Sequence, residues 1–317
     1  MNLQQLRYLC EVARNGLNMS LAASSLNTSQ PGISKQIRQL EIELGVEIFE
    51  RSRNRVSGIT AIGKHVVALA QDVVSQVNHI RSVAHDFGRD TSGALIVATS
   101  HTQARYVLPK VLEQFTRRYP GVDLTLRQGD PEQIAEMVMA GEADLGVTTE
   151  TYRKDPGLAL LPCRKFQRVV VVPAGHPLLK LKSITLAAVA QYPLVAYEKA
   201  YTGRRLVVEA FEREGLSPKI VLSGTDADVI KACVEHSIGV AILSEVTFDP
   251  KRDPALRAVP LGNLVQPSFT TLAIRRPRRL RAYEYDFILM CSPHWTRSRV
   301  DKALAQAVPS RTSRTVI

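Results

Sequence analysis

Residues 18–41 read NMSLAASSLNTSQPGISKQIRQLE. Small or apolar residues recur in this stretch at the spacing of two helices that each bury one face, Ala22, Ala23 and Leu26 in the first and Ile33, Ile37 and Leu40 in the second. A polar break at residues 27–29 separates the two. Because the small alanines let the second helix cross closely over the first, the stretch predicts a helix-turn-helix.

The outer face of the second helix is predicted to be polar and basic. Side chains of this kind donate hydrogen bonds to phosphates and to base edges in a major groove. The residues that open this helix or lie on its outer face, and that are candidate DNA contacts, are Ser29, Gln30, Pro31, Ser34, Lys35 and Arg38. Double-stranded DNA is therefore the first partner that the sequence predicts.

A basic turn follows the two helices. Residues 48–60 contain two short extended pieces around this turn, which predicts a hairpin wing. Arg51, Arg53 and Arg55 alternate along it, so we expect them to share one side and to meet the DNA backbone. The alternative is a solvated charged turn.

The composition predicts a globular protein of two or three domains with an anionic partner. The chain has 317 residues, 45% of them hydrophobic, and a net charge of +11. The most cationic end is 275–317, and its basic run from Arg275 to Arg281 fits a second nucleic-acid patch, a solvated turn or a subunit contact equally well. Four widely spaced cysteines form no metal-ligand pattern, so we expect free thiols.

No targeting or membrane segment stands out in the sequence. The first residues lack the basic and apolar stretches of a secretory signal. The longest obvious apolar run, 169–172, is far too short to span a membrane and predicts a buried strand. We therefore expect a cytoplasmic protein with no membrane partner, and we predict no cofactor.

A long helix is predicted from residue 61 to about residue 87. Its apolar residues recur at three- and four-residue steps without a break, over about 40 Å of helix. A stripe of this length exceeds what a small flanking domain can cover, so a second copy of the chain is expected to pair with it. The polar, glycine-containing residues 88–93 predict a hinge.

Strands and helices alternate beyond residue 93. The predicted strands are 94–98, 122–126, 143–147, 168–172, 194–197, 219–222, 240–243 and 270–274, and the predicted helices are 103–119, 131–140, 204–214 and 227–236. This order is typical of an α/β fold with largely parallel sheets, divided over this length into two lobes. The late strand 270–274 returns the chain to the first lobe.

Hydroxyl side chains collect where several of these strands end. The strand 95–98 runs into residues 99–103, which are predicted to open a helix and so to offer free N–H groups and a partial positive charge. Thr149 and Thr202 take similar places, where open α/β sheets bind ligands. The pattern fits an anion pocket, but it fits helix N-caps equally well.

The order of these parts resembles the LysR-type transcriptional regulators. The residues that carry the resemblance are 22–26, 29–37, 40–41 and 44–51. A closer likeness to the CysB/Cbl branch of that family lies in 99–106, 201–204, 225–231 and 285–288. The resemblance covers nearly the whole chain and weakens after about residue 304.

This resemblance implies an α/β protein with three parts: a winged helix-turn-helix (1–59), a linker helix for dimerisation (60–89) and a periplasmic-binding-protein-like effector domain (90–317). Lobe I of that domain would take about 90–163 and 268–292, and lobe II about 164–267. Expected partners are promoter DNA, RNA polymerase and the other copies of a homo-tetramer.

The resemblance also implies a function. Members of the branch activate genes of cysteine synthesis and of sulfate or alkanesulfonate assimilation, in response to acetylserine, sulfate or a related sulfur anion between the lobes. The positions that match the sulfate contacts of the family are Ser100, Thr102, Gln103, Thr149 and Thr202. The chain departs from the family at Ser100, usually Thr, and at Arg164, usually aromatic. Arg164 would favour a more acidic ligand or point to solvent.

Two other functions are compatible with parts of the sequence. A LysR-type regulator of a different pathway, with another small anionic effector, fits the same features. A hydrolase could be assembled from Ser100, His101 and Asp144, but the sequence has no Gly-x-Ser-x-Gly elbow, paired carboxylates or metal cluster. We therefore predict that the protein is not an enzyme.

Overall fold

A computed structural model describes residues 1–52, 55–85, 91–149 and 155–305. The chain divides into two compact units, Met1–Phe87 and Gly88–Ile317. Within the described ranges, no helix is both long enough and apolar enough to cross a membrane.

The first unit is a three-helix cluster with a hairpin and a long final helix. Its elements are α1 (Leu3–Arg14), α2 (Met19–Ser25), α3 (Gln30–Leu44), β1 (Phe49–Ser52), β2 (Arg55–Ile59) and α4 (Ala61–His85). Strands β1 and β2 pair in antiparallel fashion, which confirms the predicted hairpin. Gly45 ends α3 in the left-handed conformation, with a φ of 67°, where glycine avoids the strain of a side chain.

The core of this unit contains the residues that the helix-turn-helix pattern selected. Ile33, Ile37 and Leu40 are fully buried, and they share one core with Ala22 and Ala23. The predicted crossing of α3 over α2 is therefore confirmed.

Helix α4 has two different faces. Val67 and Ala70 are buried in the core of the first unit. Among the described side chains of α4, the large apolar ones that remain exposed in the single chain are Ile62, Leu69, Val73 and Ile80. The predicted long helix is confirmed, and part of its apolar surface is left uncovered by the chain itself.

The second unit consists of two lobes: lobe I is built on one five-stranded mixed sheet, and lobe II on a three-stranded antiparallel sheet and a two-stranded parallel sheet. Its elements as far as the first crossing are β3 (Ser92–Thr99), α5 (Pro109–Arg118), β4 (Gly121–Gln128), α6 (Pro131–Met139), β5 (Leu145–Thr149) and β6 (Leu158–Phe166). Lobe II then contains β7 (Arg168–Pro173), α7 (Leu186–Val189), β8 (Leu194–Tyr197), α8 (Thr202–Arg213), β9 (Ile220–Gly224), α9 (Ala227–Glu235), β10 (Ala241–Ser244) and β11 (Leu256–Pro260). The chain returns to lobe I with β12 (Ser268–Arg275), α10 (Ala282–Cys291) and α11 (Arg297–Ala305).

The expectation of largely parallel sheets is wrong. Lobe I has the strand order β4-β3-β5-β12-β6, in which β3 is parallel to both neighbours but β12 is antiparallel to β5 and β6. In lobe II, β7 is antiparallel to β10 and β11, while β8 and β9 are parallel. The sequence prediction missed β6 and β11. Strands β6 and β12 lie next to the crossings between the lobes, and a strand that returns from the other lobe can enter its sheet in either direction.

The single helix predicted for 103–119 is also wrong. Residues Gln103–Val107 form a π-helical turn, and α5 begins only at Pro109. The backbone N–H of Leu108 donates to the carbonyl of Gln103 at 2.9 Å, five residues back. Because proline has no N–H to continue the ladder, the helix is interrupted at this point.

The basic run 275–281 belongs largely to the framework of lobe I. The side chain of Arg278 is buried and forms ion pairs with Asp144 at 2.6 Å and Glu284 at 2.5 Å. Arg276 and Arg281 donate to the carbonyls of Ala303 and Ala94, at 2.6 and 3.1 Å. For these three arginines, the structure favours an internal role over a nucleic-acid patch.

Candidate functional sites

The outer face of α3 presents the polar side chains predicted from the sequence. Ser29, Gln30, Pro31, Lys35 and Arg38 are exposed, and Ser34 is half-buried. Ser29 is the N-cap, and its hydroxyl accepts a hydrogen bond from the backbone N–H of Gly32 at 3.3 Å. Their contacts with DNA remain a prediction.

The wing is tied to α3 through one buried carboxylate. Glu41 accepts hydrogen bonds from the backbone N–H groups of Ile48 and Phe49 at 2.9 and 3.1 Å. Its second oxygen lies 2.6 Å from the Arg51 guanidinium. Arg51, predicted to meet the DNA backbone, therefore also positions the wing.

The other two wing arginines cannot be placed in the same way. Arg53 lies outside the described residues. Arg55 opens β2, but its side chain is not among those described. That Arg53 and Arg55 share one side of the wing with Arg51 stays a prediction.

A small polar cavity lies between the two lobes of the second unit. We call it the inner cavity, and its volume is about 30 Å³. It is lined by Ser100, Thr102, Pro131, Thr149, Phe166, Arg168, Tyr197, Tyr201, Thr202, Gly203 and Ser244. The lining combines hydroxyl groups with the guanidinium of Arg168, and none of these lining residues is acidic. Such a set of donors suits an anion.

Four of the five predicted effector residues meet at this cavity. Ser100, Thr102, Thr149 and Thr202 line it. Gln103 is not among the lining residues; it is fully buried, its side-chain oxygen accepts a hydrogen bond from Thr270 at 3.0 Å, and its side-chain nitrogen has no hydrogen-bond partner within the protein. The contacts of these residues with a ligand stay a prediction.

The lining residues of the two lobes touch across the cavity. The hydroxyls of Thr149 and Thr202 lie 3.2 Å apart, and the Thr102 hydroxyl lies 3.2 Å from the Tyr197 phenol. Burial raises the pKa of Tyr197 to about 12, so its phenol stays protonated near neutral pH. Hydroxyl groups that remain neutral therefore meet across the inner cavity.

Arg168 and Ser244 are two of the lining residues that the sequence did not single out as site residues. Arg168 and Ser244 are each 2% exposed and face each other in the β7–β10 register. Residue 244 directly follows the predicted strand 240–243, so the rule that ligands bind at strand ends could have found it. Arg168 gave no such signal, because it sits at the start of a strand. Arg164, the cation noted instead, is exposed and lines neither cavity described here.

A larger chamber adjoins the inner cavity. We call it the outer chamber, and its volume is about 510 Å³. It is lined by His101, Gln128, Gly129, Asp130, Gln133, Glu198, Ala200, Tyr201, Thr225 and Asp226, so Tyr201 borders both spaces. The imidazole Nε2 of His101 lies 3.1 Å from the Asp226 carboxylate of the other lobe.

A further set of contacts links the lobes beside the chamber. Arg105 and Tyr106, both in the π-helical turn, donate to the Asp228 carboxylate of α9, Arg105 at 2.9 Å. Lys231 approaches the same carboxylate at 3.2 Å. Burial alone would raise the pKa of Asp228, but the hydrogen bonds from Tyr106 and Lys231 and the charges of Lys231 and Arg105 hold it below its ordinary value. We call this set the Asp228 latch.

The residues of a hydrolase are not assembled. His101 faces Asp226, whereas Asp144 accepts from the backbone of Ile96 and pairs with Arg278. Over the described ranges, no group of three or more His, Cys, Asp or Glu residues could hold a metal ion.

The first unit has the architecture of a duplex-DNA-binding domain, and the second has a polar ligand cavity between two lobes. Together they define a DNA-binding protein that senses a small molecule. Residues 3–64 match the family model of the bacterial regulatory helix-turn-helix protein, lysR family, and residues 88–296 match the LysR substrate binding domain. The chain belongs to the LysR family of transcriptional regulators, which bind promoter DNA and small-molecule effectors.

Similar proteins point to one branch of this family. The chain is 44% identical to the HTH-type transcriptional regulator SsuR of Burkholderia cenocepacia, over 97% of this chain and 100% of that protein. It is 43% identical to the regulator CysB of the same organism, over 96% and 97%. The crystal structure of the cofactor-binding domain of the Cbl transcriptional regulator is 35% identical, has a TM-score of 0.65 and covers 68% of this chain and 95% of that one. The branch predicted from the sequence is confirmed.

Proposed function

We propose that this protein controls genes of sulfur assimilation and cysteine synthesis, and that acetylserine, sulfate or a related sulfur anion in the inner cavity sets its activity. The extended likeness to SsuR and CysB supports the choice of pathway. The observation that carries the choice of ligand is the inner cavity itself, with hydroxyls and one buried guanidinium and no acidic side chain in its lining.

The DNA-binding part of the proposal uses two copies of the chain. The exposed apolar residues of α4 would pair with those of a second copy, so that two recognition helices face successive turns of a two-fold symmetric site. Two such dimers would form a tetramer on the promoter, next to RNA polymerase. In this proposal residues 1–59 bind DNA, 60–89 link the copies and 90–317 sense the effector.

Signal transfer in this proposal depends on lobe closure. A ligand in the inner cavity touches side chains of both lobes, so it binds the closed arrangement more tightly than an open one. A ligand shifts a conformational equilibrium only by such a difference in affinity. Closure would then change how the copies of the tetramer are arranged and so the spacing or bend of the bound DNA.

A ligand panel on the full-length protein tests the choice of effector. The panel contains sulfate, thiosulfate, O-acetylserine, N-acetylserine and adenosine phosphosulfate, and the readout is the melting temperature of the second unit, followed through Trp295. A ligand present at about 100 times its Kd stabilises the native state by about 2.7 kcal/mol, which is readily measured. Stabilisation by one of these compounds supports the proposal.

The same panel distinguishes this proposal from the alternative that the protein regulates a different pathway. If none of these compounds binds while a carboxylate from another pathway does, the protein is a regulator of that pathway instead. Promoter footprints with and without the binding compound test the signalling step. Identical footprints would contradict it.

A further inference from the structure

We propose that the oxyanion of the effector is bound by Arg168 and Ser244 on the floor of the inner cavity, and that the remainder of the ligand, in the outer chamber, carries an ammonium group rather than a second anion. The inference rests on the proposed sensing function of the cleft. It assigns the residues that bind the head group and the chemical class of the whole ligand.

Ser244 has the properties of a ligand contact. The residue is 2% exposed, it lines the inner cavity, and its hydroxyl oxygen has no hydrogen-bond partner within the protein. Buried hydroxyls are nearly always hydrogen-bonded in native proteins, so an exception calls for an explanation. An oxyanion in the cavity would accept the hydrogen bond that Ser244 can donate.

Arg168 provides the charge next to this hydroxyl. It lies directly opposite Ser244 in the antiparallel β7–β10 pair, so the two side chains share one face of the sheet. The guanidinium donates to the hydroxyl of Ser268 and lies 5.9 Å from the centre of the Phe166 ring. A side chain at residue 203 would crowd it, because a Cβ added to Gly203 would lie 3.2 Å from the Arg168 Nη1 atom. The guanidinium is thus held in place beside the cavity.

The size of the inner cavity limits what enters it. Its volume of about 30 Å³ corresponds to about two water molecules. A carboxylate or sulfonate head matches such a space far better than a whole amino acid or nucleotide does. The rest of the ligand must then extend past Tyr201 into the outer chamber, which is about 510 Å³ in volume.

The outer chamber has the opposite charge. Its lining contains three carboxylates, Asp130, Glu198 and Asp226, together with His101, and it contains no Lys or Arg. Burial raises the pKa of the bordering Tyr201 phenol, and the charges of these three carboxylates raise it further, so their field reaches the boundary between the two spaces. A second anion there would be repelled, whereas an ammonium group would be attracted.

Three sulfonates that share one head group test the assignment. Taurine carries an ammonium tail, isethionate a neutral hydroxyl and sulfoacetate an anionic carboxylate. We expect full-length protein in isothermal titration calorimetry to bind taurine at least about fivefold more tightly than isethionate, and sulfoacetate least tightly. Equal affinity for all three, or a preference for sulfoacetate, would overturn the tail assignment.

Variants of Ser244 and Arg168 test which residues bind the sulfonate head group of the ligand, independently of its tail. Ser244→Ala should weaken taurine and isethionate alike by about tenfold or more, because each loses a hydrogen bond to a charged group. Arg168→Lys keeps the positive charge but loses the planar guanidinium with its paired N–H donors, so it should also weaken the binding of taurine and isethionate. Ser223→Ala, on the exposed part of β9, is the matched control and should change neither. Unchanged affinity in Ser244→Ala would overturn the head assignment even if Arg168→Lys folds poorly.

Variants that neutralise a carboxylate test whether the outer chamber attracts the ammonium group. Glu198→Gln and Asp130→Asn should lower the preference for taurine over isethionate without weakening isethionate, and asparagine preserves the N-cap that Asp130 provides for α6. Glu212→Gln, an exposed change on α8, is the control. If sulfate, the sulfonates and the acetylserines all fail to bind the wild-type protein, the proposed effector function fails. If these compounds bind but their affinities depend neither on the charge of the tail nor on the substituted residues, only the present inference fails.

Discussion

Replacing Glu41 by alanine should destabilise the DNA-binding unit far more than any surface change. Glu41 is 6% exposed and accepts two backbone hydrogen bonds, from Ile48 and Phe49. Each buried amide left without a partner costs about 1–3 kcal/mol. The lost ion pair with Arg51, which is partly exposed, adds about 0.2–1 kcal/mol. We expect a loss of about 3–5 kcal/mol, the range found when one partner of a buried pair is removed.

Two milder variants divide this loss into its parts. Arg51→Gln removes the ion pair but leaves the carboxylate to accept both amides, so it should cost about 1 kcal/mol or less. Glu41→Gln keeps an oxygen that accepts from the amides but loses the charge. Its loss in free energy of unfolding should lie between those of Arg51→Gln and Glu41→Ala. Glu47→Ala, an exposed change nearby, is the control.

Hydrogen exchange measured by mass spectrometry is the appropriate assay. The full chain has two units, so a single unfolding curve would mix their transitions. Peptides that cover residues 46–52 should exchange about 150-fold faster in Glu41→Ala if about 3 kcal/mol is lost. The fluorescence of Trp295, the only tryptophan, reports on the second unit and should not change. Exchange in Glu41→Ala that is no faster than in Glu47→Ala would refute the reasoning.

Three further predictions concern DNA binding, effector response and pH. Lys35→Ala should weaken binding at every duplex site and reduce the slope of log affinity against log salt by about one, measured by fluorescence anisotropy; an unchanged slope would argue against a phosphate contact. Thr102→Ala should weaken effector binding by about tenfold in calorimetry while DNA affinity stays the same; equal loss of both would mean that the residue is structural.

The Asp228 latch gives the pH prediction. The folded-state pKa of Asp228 lies below its ordinary value, so the latch stabilises the protein above about pH 4 and is lost as the pH falls through the folded-state pKa. In thermal unfolding followed by Trp295, Asp228→Asn should be less stable than the wild type near pH 7, and the difference should shrink below about pH 4. A constant difference at all pH values would contradict this assignment.

The local elements of this protein could be predicted where one periodicity dominates. The spacing of Ile33, Ile37 and Leu40 predicted a recognition helix with its buried face correctly, because side chains four and seven residues apart lie on one face of any α-helix. The wing and the long helix α4 also followed from local patterns. The split of the predicted helix 103–119 was within reach as well, since Pro109 stands in its middle.

Strand direction and site membership were decided by the tertiary structure. Apolar strands such as β6 and β12 pack equally well in either direction, so their antiparallel pairing depends on how the chain crosses between the lobes. The hydroxyls of Ser100, Thr102, Thr149 and Thr202 lie near strand ends, which fitted an anion pocket and helix caps equally well, and the family resemblance selected them as ligand contacts. No pattern in the sequence placed Arg168 and Ser244 in one site. They are 76 residues apart in the chain, and only the register of β7 against β10 places a buried cation beside a buried hydroxyl.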